Sequence, residues 1–259
     1  MLFEFFSATD RGRARSNNED SVALDEAFGL LALADGMGGY NAGEVASGIA
    51  TSYIKSELGR WLREAEGASD ADVRRAMDIC VDHANRSIYE AANANERYAG
   101  MGTTLVVGVL RGGRLLLGHV GDSRAYRMRE GRLTQMTRDH SLLQEQIDAG
   151  LITAQQALLS SNKNLVTRAV GVEPTVLLET HEYQVMPGDV LLFCSDGLSD
   201  MLDDTAIARV LQRHDALADL GADLIAAANS AGGKDNIAVI LARPRNDGGV
   251  MRSWWPFGR

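Results

Sequence analysis

Three apolar segments of this chain each run directly into an aspartate, and this recurrence constrains the fold more than any other feature of the sequence. The segments are 31–36 (LALADG), 117–122 (LGHVGD) and 191–197 (LLFCSDG). Asp235 lies just before a fourth apolar segment, and the acidic pair Glu19 and Asp20 precedes a fifth. One aspartate at a strand end is typical of a turn. If the strands are neighbours, however, four or five carboxylates meet at one sheet edge and repel each other unless cations bind between them.

The donor atoms at this edge indicate the kind of cation. Carboxylates and carbonyls are hard oxygen ligands that suit Mg²⁺, Mn²⁺ or Ca²⁺, and no histidine or cysteine pair has the spacing of a zinc site. The glycine after Asp35 leaves its own carbonyl accessible, so Gly36 is a candidate ligand. Two such ions about 4 Å apart can clamp a phosphate and acidify a bridging water. Arg15, just before the acidic pair, is a candidate bidentate phosphate anchor, although its spacing alone is equally typical of a surface residue.

The order of the predicted elements indicates the fold class. Apolar patterns predict strands within 3–8, 20–34, 102–136, 175–185, 189–195 and 236–242. Helical periodicity predicts helices around 45–62, 73–91, 204–213 and 216–230. A polar stretch at about 141–171 interrupts the strand pattern and predicts an insert or flap. The predicted order is strands, two helices, strands, helices and a last strand. This order is typical of an α+β domain, in which helices flank antiparallel sheets, and not of a βαβ repeat.

Composition narrows the cellular setting. The net charge of −9 excludes nucleic acid as a general partner, because a phosphate backbone needs a basic footprint. The N-terminus does not resemble a signal peptide, and no apolar run approaches the roughly 18 residues that span a bilayer. The chain has two well-separated cysteines, Cys80 and Cys194, which do not make a disulfide scaffold. These features predict a cytoplasmic protein with no transmembrane segment.

Seven short motifs follow one another in a fixed order between Ala8 and Ala242. They are DRG at 10–12 with RSNNED at 15–20, DGMGG at 35–39, GMGTT at 100–104, GDSR at 121–124, TRDH at 137–140, SDGL at 195–198 and KDN at 234–236. In this order they make the chain resemble the type 2C protein phosphatases, the metal-dependent serine/threonine phosphatases, and particularly their compact bacterial members. One such motif is weak evidence, but the ordered set is highly specific.

The resemblance implies a particular architecture. We expect two stacked antiparallel β-sheets with helices on both outer faces, an αββα sandwich, with the flap at about 141–171 near the substrate groove. The catalytic domain then spans 1–242. The remaining segment, 243–259, is basic and aromatic. It is either a loosely ordered end or a docking segment, since Trp and Arg are enriched in binding hot spots.

The resemblance also implies a role for each acidic residue. Asp35, Asp196 and Asp235, with the Gly36 carbonyl, match the ligands of two central Mn²⁺ or Mg²⁺ ions. Arg15 matches the phosphate-binding arginine. Asp20 matches a ligand that acts directly or through water, and Glu19 matches a supporting acid. Asp122, together with Asp196, matches the position that holds a third, weaker ion.

One position departs from many eukaryotic relatives. Those proteins have a histidine after the Asp-Gly pair, proposed as the acid that protonates the leaving serine oxygen. Met37 stands there, as in many bacterial relatives, so no side-chain acid is assigned. His119 and His140 adjoin the acidic motifs. His119, within a predicted strand, is better explained by a structural role, and His140 fits a structural and a functional role equally.

The implied activity is hydrolysis of phosphoserine and phosphothreonine in proteins. A metal-bridging hydroxide attacks phosphorus directly, and Arg15 and the metals offset the transition-state charge. The implied partners are phosphoproteins and a serine/threonine kinase. We expect a monomeric enzyme that removes the phosphate groups that this kinase adds. Two alternatives are an inactive binding protein, whose signature would be loss of Arg15 or a central aspartate, and an enzyme for another phosphoester.

A second phosphatase pattern in the chain is a coincidence of spacing. Residues 80–86 (CVDHANR) match the cysteine-x5-arginine pattern of tyrosine phosphatases. That chemistry needs a loop of backbone amides that cradles phosphate. Cys80 instead lies on the apolar stripe of a predicted helix, so we expect it to be a core residue.

Overall fold

The computed structural model describes residues 1–39, 42–158, 160 and 165–245. Within them the strands are β1 Phe3–Asp10, β2 Asp20–Asp25, β3 Leu30–Met37, β4 Gly102–Thr103, β5 Leu105–Arg111, β6 Arg114–Val120, β7 Arg124–Arg129, β8 Arg132–Gln135, β9 Glu179–Gln184, β10 Val190–Cys194 and β11 Ile237–Pro244. The α-helices are α1 Ala42–Tyr53, α2 Gly59–Glu64, α3 Asp70–Ala94, α4 Leu142–Asp148, α5 Ala154–Leu158, α6 Asp196–Ser199, α7 Asp204–Leu211 and α8 Leu217–Ser230. A π-helical turn, Ile54–Leu58, joins α1 to α2.

The strands form two antiparallel sheets. One has the order β1-β11-β10-β7-β8, and the other has the order β2-β3-β5-β6-β9 with β4 beside the end of β3. In the first sheet β1 and β11 pair along their whole lengths, from Phe3 opposite Pro244 to Asp10 opposite Ile237. Helices α1–α3 cover the outer face of the second sheet and α6–α8 that of the first. The predicted αββα sandwich is therefore confirmed.

Alternation along the strands divides the core into layers. In β3, Leu31 and Leu33 face the other sheet, whereas Leu30 and Ala32 pack toward the helices. In β10, Phe193 enters the layer between the sheets. Because successive side chains point to opposite faces, a strand covered on both sides must be apolar at every position. This explains why the aspartate-terminated segments are continuous apolar runs.

The outer helices follow ordinary capping and burial rules. Ser69 caps α3 through a capping box with Asp72, which satisfies exposed amides at the helix start. Cys80 lies on the buried face of α3, as expected. None of the described helices combines the length and the apolar composition that crossing a bilayer requires.

Three details of the structure refine the predicted elements. The segment 20–34 is a hairpin of two strands, and the strand expected over 175–185 is confined to β9. The last strand continues beyond Ala242 to Pro244, because Arg243 and Pro244 pair with Glu4 and Phe3. It thus enters the basic, aromatic segment, of which 246–259 lie outside the described residues.

The predicted flap contains α4 and α5 and is fastened at its base. Bridges join Ser141 to Val166 and Thr103 to Val170. The Thr103 N–H donates to the Val170 carbonyl at 2.9 Å, and the Val170 N–H donates back at 2.8 Å. These backbone bonds hold the end of the flap beside the end of β3.

Candidate metal centre and active site

The predicted site residues meet at one edge of the sandwich. Asp35 ends the apolar part of β3, Asp196 follows β10, Asp235 precedes β11 and Asp122 follows β6. Together they surround a cavity of about 210 Å³, lined by Arg15, Glu19, Asp35, Gly36, Met37, Gly38, Thr104, Asp122, Val166, Asp196 and Asp235. Asp20 is opposite Asp35 in the β2–β3 pairing and is buried beside this cavity, outside its lining.

Backbone and hydroxyl groups hold Asp35 in place. The Asp35 N–H donates to the Thr104 hydroxyl at 3.0 Å, and the Thr104 N–H donates to the Asp35 carbonyl at 2.8 Å. The Thr103 hydroxyl donates to the same carbonyl at 2.8 Å. Each threonine of the GMGTT motif therefore fixes the backbone of a candidate metal ligand.

Gly36 lies where β3 touches helix α1 backbone to backbone. A Cβ atom at Gly36 would fall 2.1 Å from the carbonyl oxygen of Gly43, and its N–H donates to the Glu19 carbonyl at 3.1 Å. Only glycine allows such an approach. The sequence predicts that Gly36 leaves its carbonyl accessible as a ligand, and the structure adds a steric reason for glycine at this position.

Asp20 has an oxygen atom for which the described residues provide no partner. Its Oδ2 accepts a hydrogen bond from the Ser195 hydroxyl at 2.7 Å, but its buried Oδ1 accepts none. An unsatisfied buried carboxylate oxygen is costly. Oδ1 is therefore well suited to a water molecule or a cation, which fits the predicted role of a ligand acting directly or through water.

Burial and mutual repulsion raise the pKa values of the clustered carboxyls. Burial, followed by neighbouring acidic charge, raises the pKa of Asp122 to about 7 and that of Asp196 to about 6. Burial also raises the pKa of Asp20 to about 7 and holds that of Asp35 well above its usual range. Near neutral pH the positive charges of Arg15 and Arg124 offset only part of the negative charge of this set. All donors are oxygens, so Mn²⁺ or Mg²⁺ fits the site.

The raised pKa values predict how stability depends on pH. Between about pH 5 and pH 8 the metal-free folded protein binds more protons than the unfolded chain, so its free energy of unfolding falls as pH rises. We expect the melting temperature in EDTA to fall by about 5 °C or more over this range. Mn²⁺ should reverse the fall at the upper pH, because it binds the ionised carboxylates of the folded state.

Thermal melts with EDTA and with Mn²⁺ at both pH values measure this difference. Asp35→Asn is the matched variant, and its melting temperature in EDTA should fall less because one buried acid is neutral throughout. A metal-free protein that is equally stable at both pH values would contradict the assigned electrostatics.

Asn236, just before β11, binds the loop before β2, a role that the sequence alone did not predict. Asn236 is buried, and its Oδ1 accepts from the Glu19 N–H at 2.8 Å. Its amide donates to the carbonyls of Arg11 at 2.9 Å and Asn17 at 2.8 Å. The signal was the asparagine of the KDN motif, but its partners are too distant in sequence to infer from spacing.

Arg15 occupies the rim of the cavity. Its guanidinium donates to Asp235 Oδ2 at 2.6 Å, and its side chain is 49% exposed. An arginine that is oriented by a carboxylate but still open to solvent can bind an incoming anion. Glu19 also lines the cavity, and its Oε1 accepts from the Asn17 amide at 3.1 Å.

The serine of the SDGL motif and both cysteines are buried. Ser195 is fully buried, and its hydroxyl donates to Asp20 and accepts from the Ala238 N–H at 2.8 Å. Cys194 faces the α6–α8 side, and burial raises its pKa to about 12. Burial likewise raises the pKa of Cys80, within α3, to about 11. None of these three is a reactive nucleophile.

A larger cavity, of about 730 Å³, lies at the opposite end of the first sheet. Its lining contains the ion pair of Arg129 with Asp189 and that of Arg243 with Glu4. It shares no lining residue with the acidic cavity. Size alone therefore does not identify the chemical site, and the convergent buried carboxylates do.

Comparison with known sequences places these observations in a family context. A sequence model of the family described as protein phosphatase 2C matches residues 9–242. The serine/threonine phosphatase stp of Listeria monocytogenes is 35% identical over 236 residues, which cover 90% of this chain and 92% of that protein. The serine/threonine protein phosphatase PstP of Mycobacterium tuberculosis is 38% identical over 245 residues, which cover 93% of this chain and 45% of PstP.

Solved structures agree with the sequence comparisons. The catalytic domain of PstP in complex with two manganese ions has a TM-score of 0.82 and 37% identity, and the match covers 93% of this chain and 98% of that one. The serine/threonine phosphatase of S. agalactiae has a TM-score of 0.86 and 36% identity, covering 94% and 100%. The similarity thus extends over both sheets and the acidic cavity.

Proposed function

Since the chain belongs to the protein phosphatase 2C family, we propose that it hydrolyses phosphoserine and phosphothreonine in proteins at the acidic cavity. Such an enzyme is a metal-dependent phosphoric monoester hydrolase, and the family uses Mn²⁺ or Mg²⁺. The observation that carries the proposal is the convergence of buried, oxygen-only ligands with one half-exposed arginine.

The proposed ligands are the carboxylates and the carbonyl that meet in or beside the acidic cavity. Asp35, Asp196 and Asp235, with the Gly36 carbonyl, would hold two central ions. Asp20 would act directly or through water, and Asp122 with Asp196 would hold a third, weaker ion. Glu19 supports the set from the cavity wall. When bound, the ions offset the carboxylate charge, polarise a phosphate oxygen and acidify the water that attacks phosphorus.

Arg15 would bind and orient the phosphate. Its guanidinium is held by Asp235 at 2.6 Å, so it needs little reorganisation when the anion arrives. Its charge would also stabilise the negative charge that builds up on the phosphoryl oxygens. Direct attack by water is consistent with the engaged states of Ser195 and Cys194, and Met37 provides no proton donor at the position where many relatives have histidine.

The cellular role follows from the chemistry. We propose that the enzyme acts as a monomer in the cytoplasm and reverses the output of a serine/threonine kinase. Cys80 and Cys194 are both free and buried, which fits a reducing compartment.

Turnover of a phosphothreonine peptide with Mn²⁺ and with EDTA tests the proposed function. We expect turnover that depends on Mn²⁺ and no trapped phosphoryl-enzyme. A small phosphorylated sugar is the comparison substrate. Turnover of the sugar alone would show that the protein acts on another phosphoester, and Mn²⁺ binding without turnover of either would favour a binding protein.

Arg15→Ala should lower kcat/KM for the phosphopeptide about a hundredfold, because removing one preoriented donor to a developing oxyanion has effects of this size. Steady-state kinetics at saturating Mn²⁺ measure the effect. Arg13→Ala is the matched control, because Arg13 is also exposed and lies two residues away, but outside the cavity lining. Equal losses in both variants would show that Arg15 contributes only general positive charge.

A further inference from the structure

We propose that His140 is a positioning residue that joins the flap to the turn carrying Asp122. His140 ends the TRDH motif and lies one residue before the flap, and its side chain is 5% exposed. The proposal rests on the proposed function, because it concerns how the same cavity is kept in register with its substrate.

Two hydrogen bonds attach His140 to the turn. The His140 N–H donates to the Gly121 carbonyl at 2.9 Å, and the Gly121 N–H donates to His140 Nδ1 at 3.2 Å. Gly121 has φ of +101°, and a Cβ there would lie 2.7 Å from Thr104. The turn is therefore held on one side by His140 and packed on the other against the threonine that fixes Asp35. Asp122 is the next residue.

The imidazole tautomer follows from these partners. An N–H group can only donate, so Nδ1 must accept from Gly121 and the proton of a neutral ring lies on Nε2. Nε2 is 3.1 Å from Glu179 Oε2, which can accept that proton. Glu179 belongs to β9, and its other oxygen is 2.9 Å from His181 Nε2. Glu179 therefore ties the imidazole to β9 through the ring nitrogen that does not bind Gly121.

The same residue contacts the flap. The Thr167 N–H donates to the His140 carbonyl at 2.8 Å. The adjacent residue, Ser141, forms the bridge with Val166, which lines the acidic cavity. A shift of His140 would therefore displace Val166 in the cavity lining.

The neighbouring histidine strengthens this support. His119 is fully buried, and its Nε2 lies 2.8 Å from the Arg138 carbonyl. Its ring is stacked on that of His140, with centroids 4.6 Å apart and planes 19° apart. These two histidines and Glu179 have ligand atoms within 4.8 Å of one another. An ion must lie near the plane of each imidazole that binds it, so two nearly parallel stacked rings favour a hydrogen-bonded support over a metal site.

Three substitutions separate the links through the His140 side chain. His140→Leu removes both ring nitrogens. His140→Asn places an oxygen where Nδ1 lies, so it keeps the acceptor for Gly121 but does not reach Glu179. Glu179→Ala removes the β9 link alone. His83→Leu, on the exposed side of α3, is the matched control.

The primary readout is Mn²⁺ binding without substrate, followed by the electron paramagnetic resonance of free Mn²⁺. The second is the KM for a phosphothreonine peptide compared with that for p-nitrophenyl phosphate. We expect His140→Leu to weaken the weakest Mn²⁺ binding step about tenfold, in the range seen for residues that support metal ligands. It should also raise the KM for the peptide more than that for the small ester, because Val166 moves.

His140→Asn and Glu179→Ala should keep Mn²⁺ binding near that of the native chain and raise only the peptide KM. Unchanged Mn²⁺ binding and KM in folded His140→Leu would overturn the proposal, as would equal loss of Mn²⁺ in the Leu and Asn variants. If His140→Leu does not fold, the other two variants decide, and an unchanged peptide KM in both overturns it. A native chain that binds Mn²⁺ but cleaves no phosphopeptide contradicts the proposed function alone, because the Mn²⁺ readout still tests the positioning role.

Discussion

Asp196→Asn should lower turnover of a phosphothreonine peptide by well over a hundredfold at every Mn²⁺ concentration, while making the metal-free protein more stable. Asp196 is buried among like charges, and its pKa is raised to about 6 by burial and by Asp200 and Asp235. Loss of residues that merely support metal ligands costs about 10- to 100-fold, so loss of a shared ligand should cost more. At about pH 8 the native side chain is ionised, and the neutral amide removes a repelling charge.

The opposite signs of these two effects make the experiment decisive. Peptide kinetics measure the first effect, and thermal melts in EDTA measure the second. Asp219→Asn, on the exposed surface of α8, is the control and should change neither. A variant that loses both activity and metal-free stability would indicate misfolding, and one that keeps activity would remove Asp196 from the metal centre.

Gly36→Ala should destabilise the protein by about 3 kcal/mol or more and abolish turnover. The added Cβ would lie 2.1 Å from the Gly43 carbonyl oxygen, and the obstructing atom is backbone, which has no rotamer to change. Overpacking a well-packed core usually costs about 1–3 kcal/mol, and a backbone clash belongs at or above the upper end. Relief requires β3 and α1 to separate, which displaces Asp35 and the Glu19 carbonyl that binds Gly36.

Gly48→Ala is the matched control, because Gly48 lies in α1, the helix that Gly36 contacts. No atom lies within 4 Å of the position that its Cβ would take. Alanine there should stabilise α1 by about 0.5–1 kcal/mol, because glycine has the greater backbone entropy when unfolded. Chemical denaturation of both variants measures the difference. Equal stabilities would show that β3 and α1 do not approach as closely as described.

The parts of the fold that sequence predicted are those written in local patterns. Apolar runs ending in aspartate predicted β3 and β10 and the edge where Asp35 and Asp196 meet, because both signals lie within a few residues. The ordered motifs, through the family resemblance, predicted the αββα sandwich. Within 20–34 the pattern predicted strand-like segments, and the structure adds the turn at 26–29 and the pairing of β2 with β3.

The parts that were not predicted depend on contacts between distant residues. Asn236 binds Glu19 across 217 positions, and Ser195 donates to Asp20 across 175. For the same reason the sequence did not decide between a structural and a functional role for His140, since its partner Glu179 is 39 positions away. Composition and spacing carry no information on which side chains meet at such separations. The site assignments remain predictions that the experiments above can test, and the 1–242 domain boundary also remains a prediction.

The pairing of β1 with β11 has a practical consequence for how this protein can be attached to something else. The Arg245 N–H donates to the Leu2 carbonyl at 2.8 Å, so these two residues leave the sheet side by side. The acidic cavity lies past the other end of the same pair, on the order of 20–25 Å away along β11. A fusion partner, an affinity matrix or a sensor surface joined at residue 2 or residue 245 would therefore leave the cavity pointing outward, and the two positions are interchangeable as anchoring points.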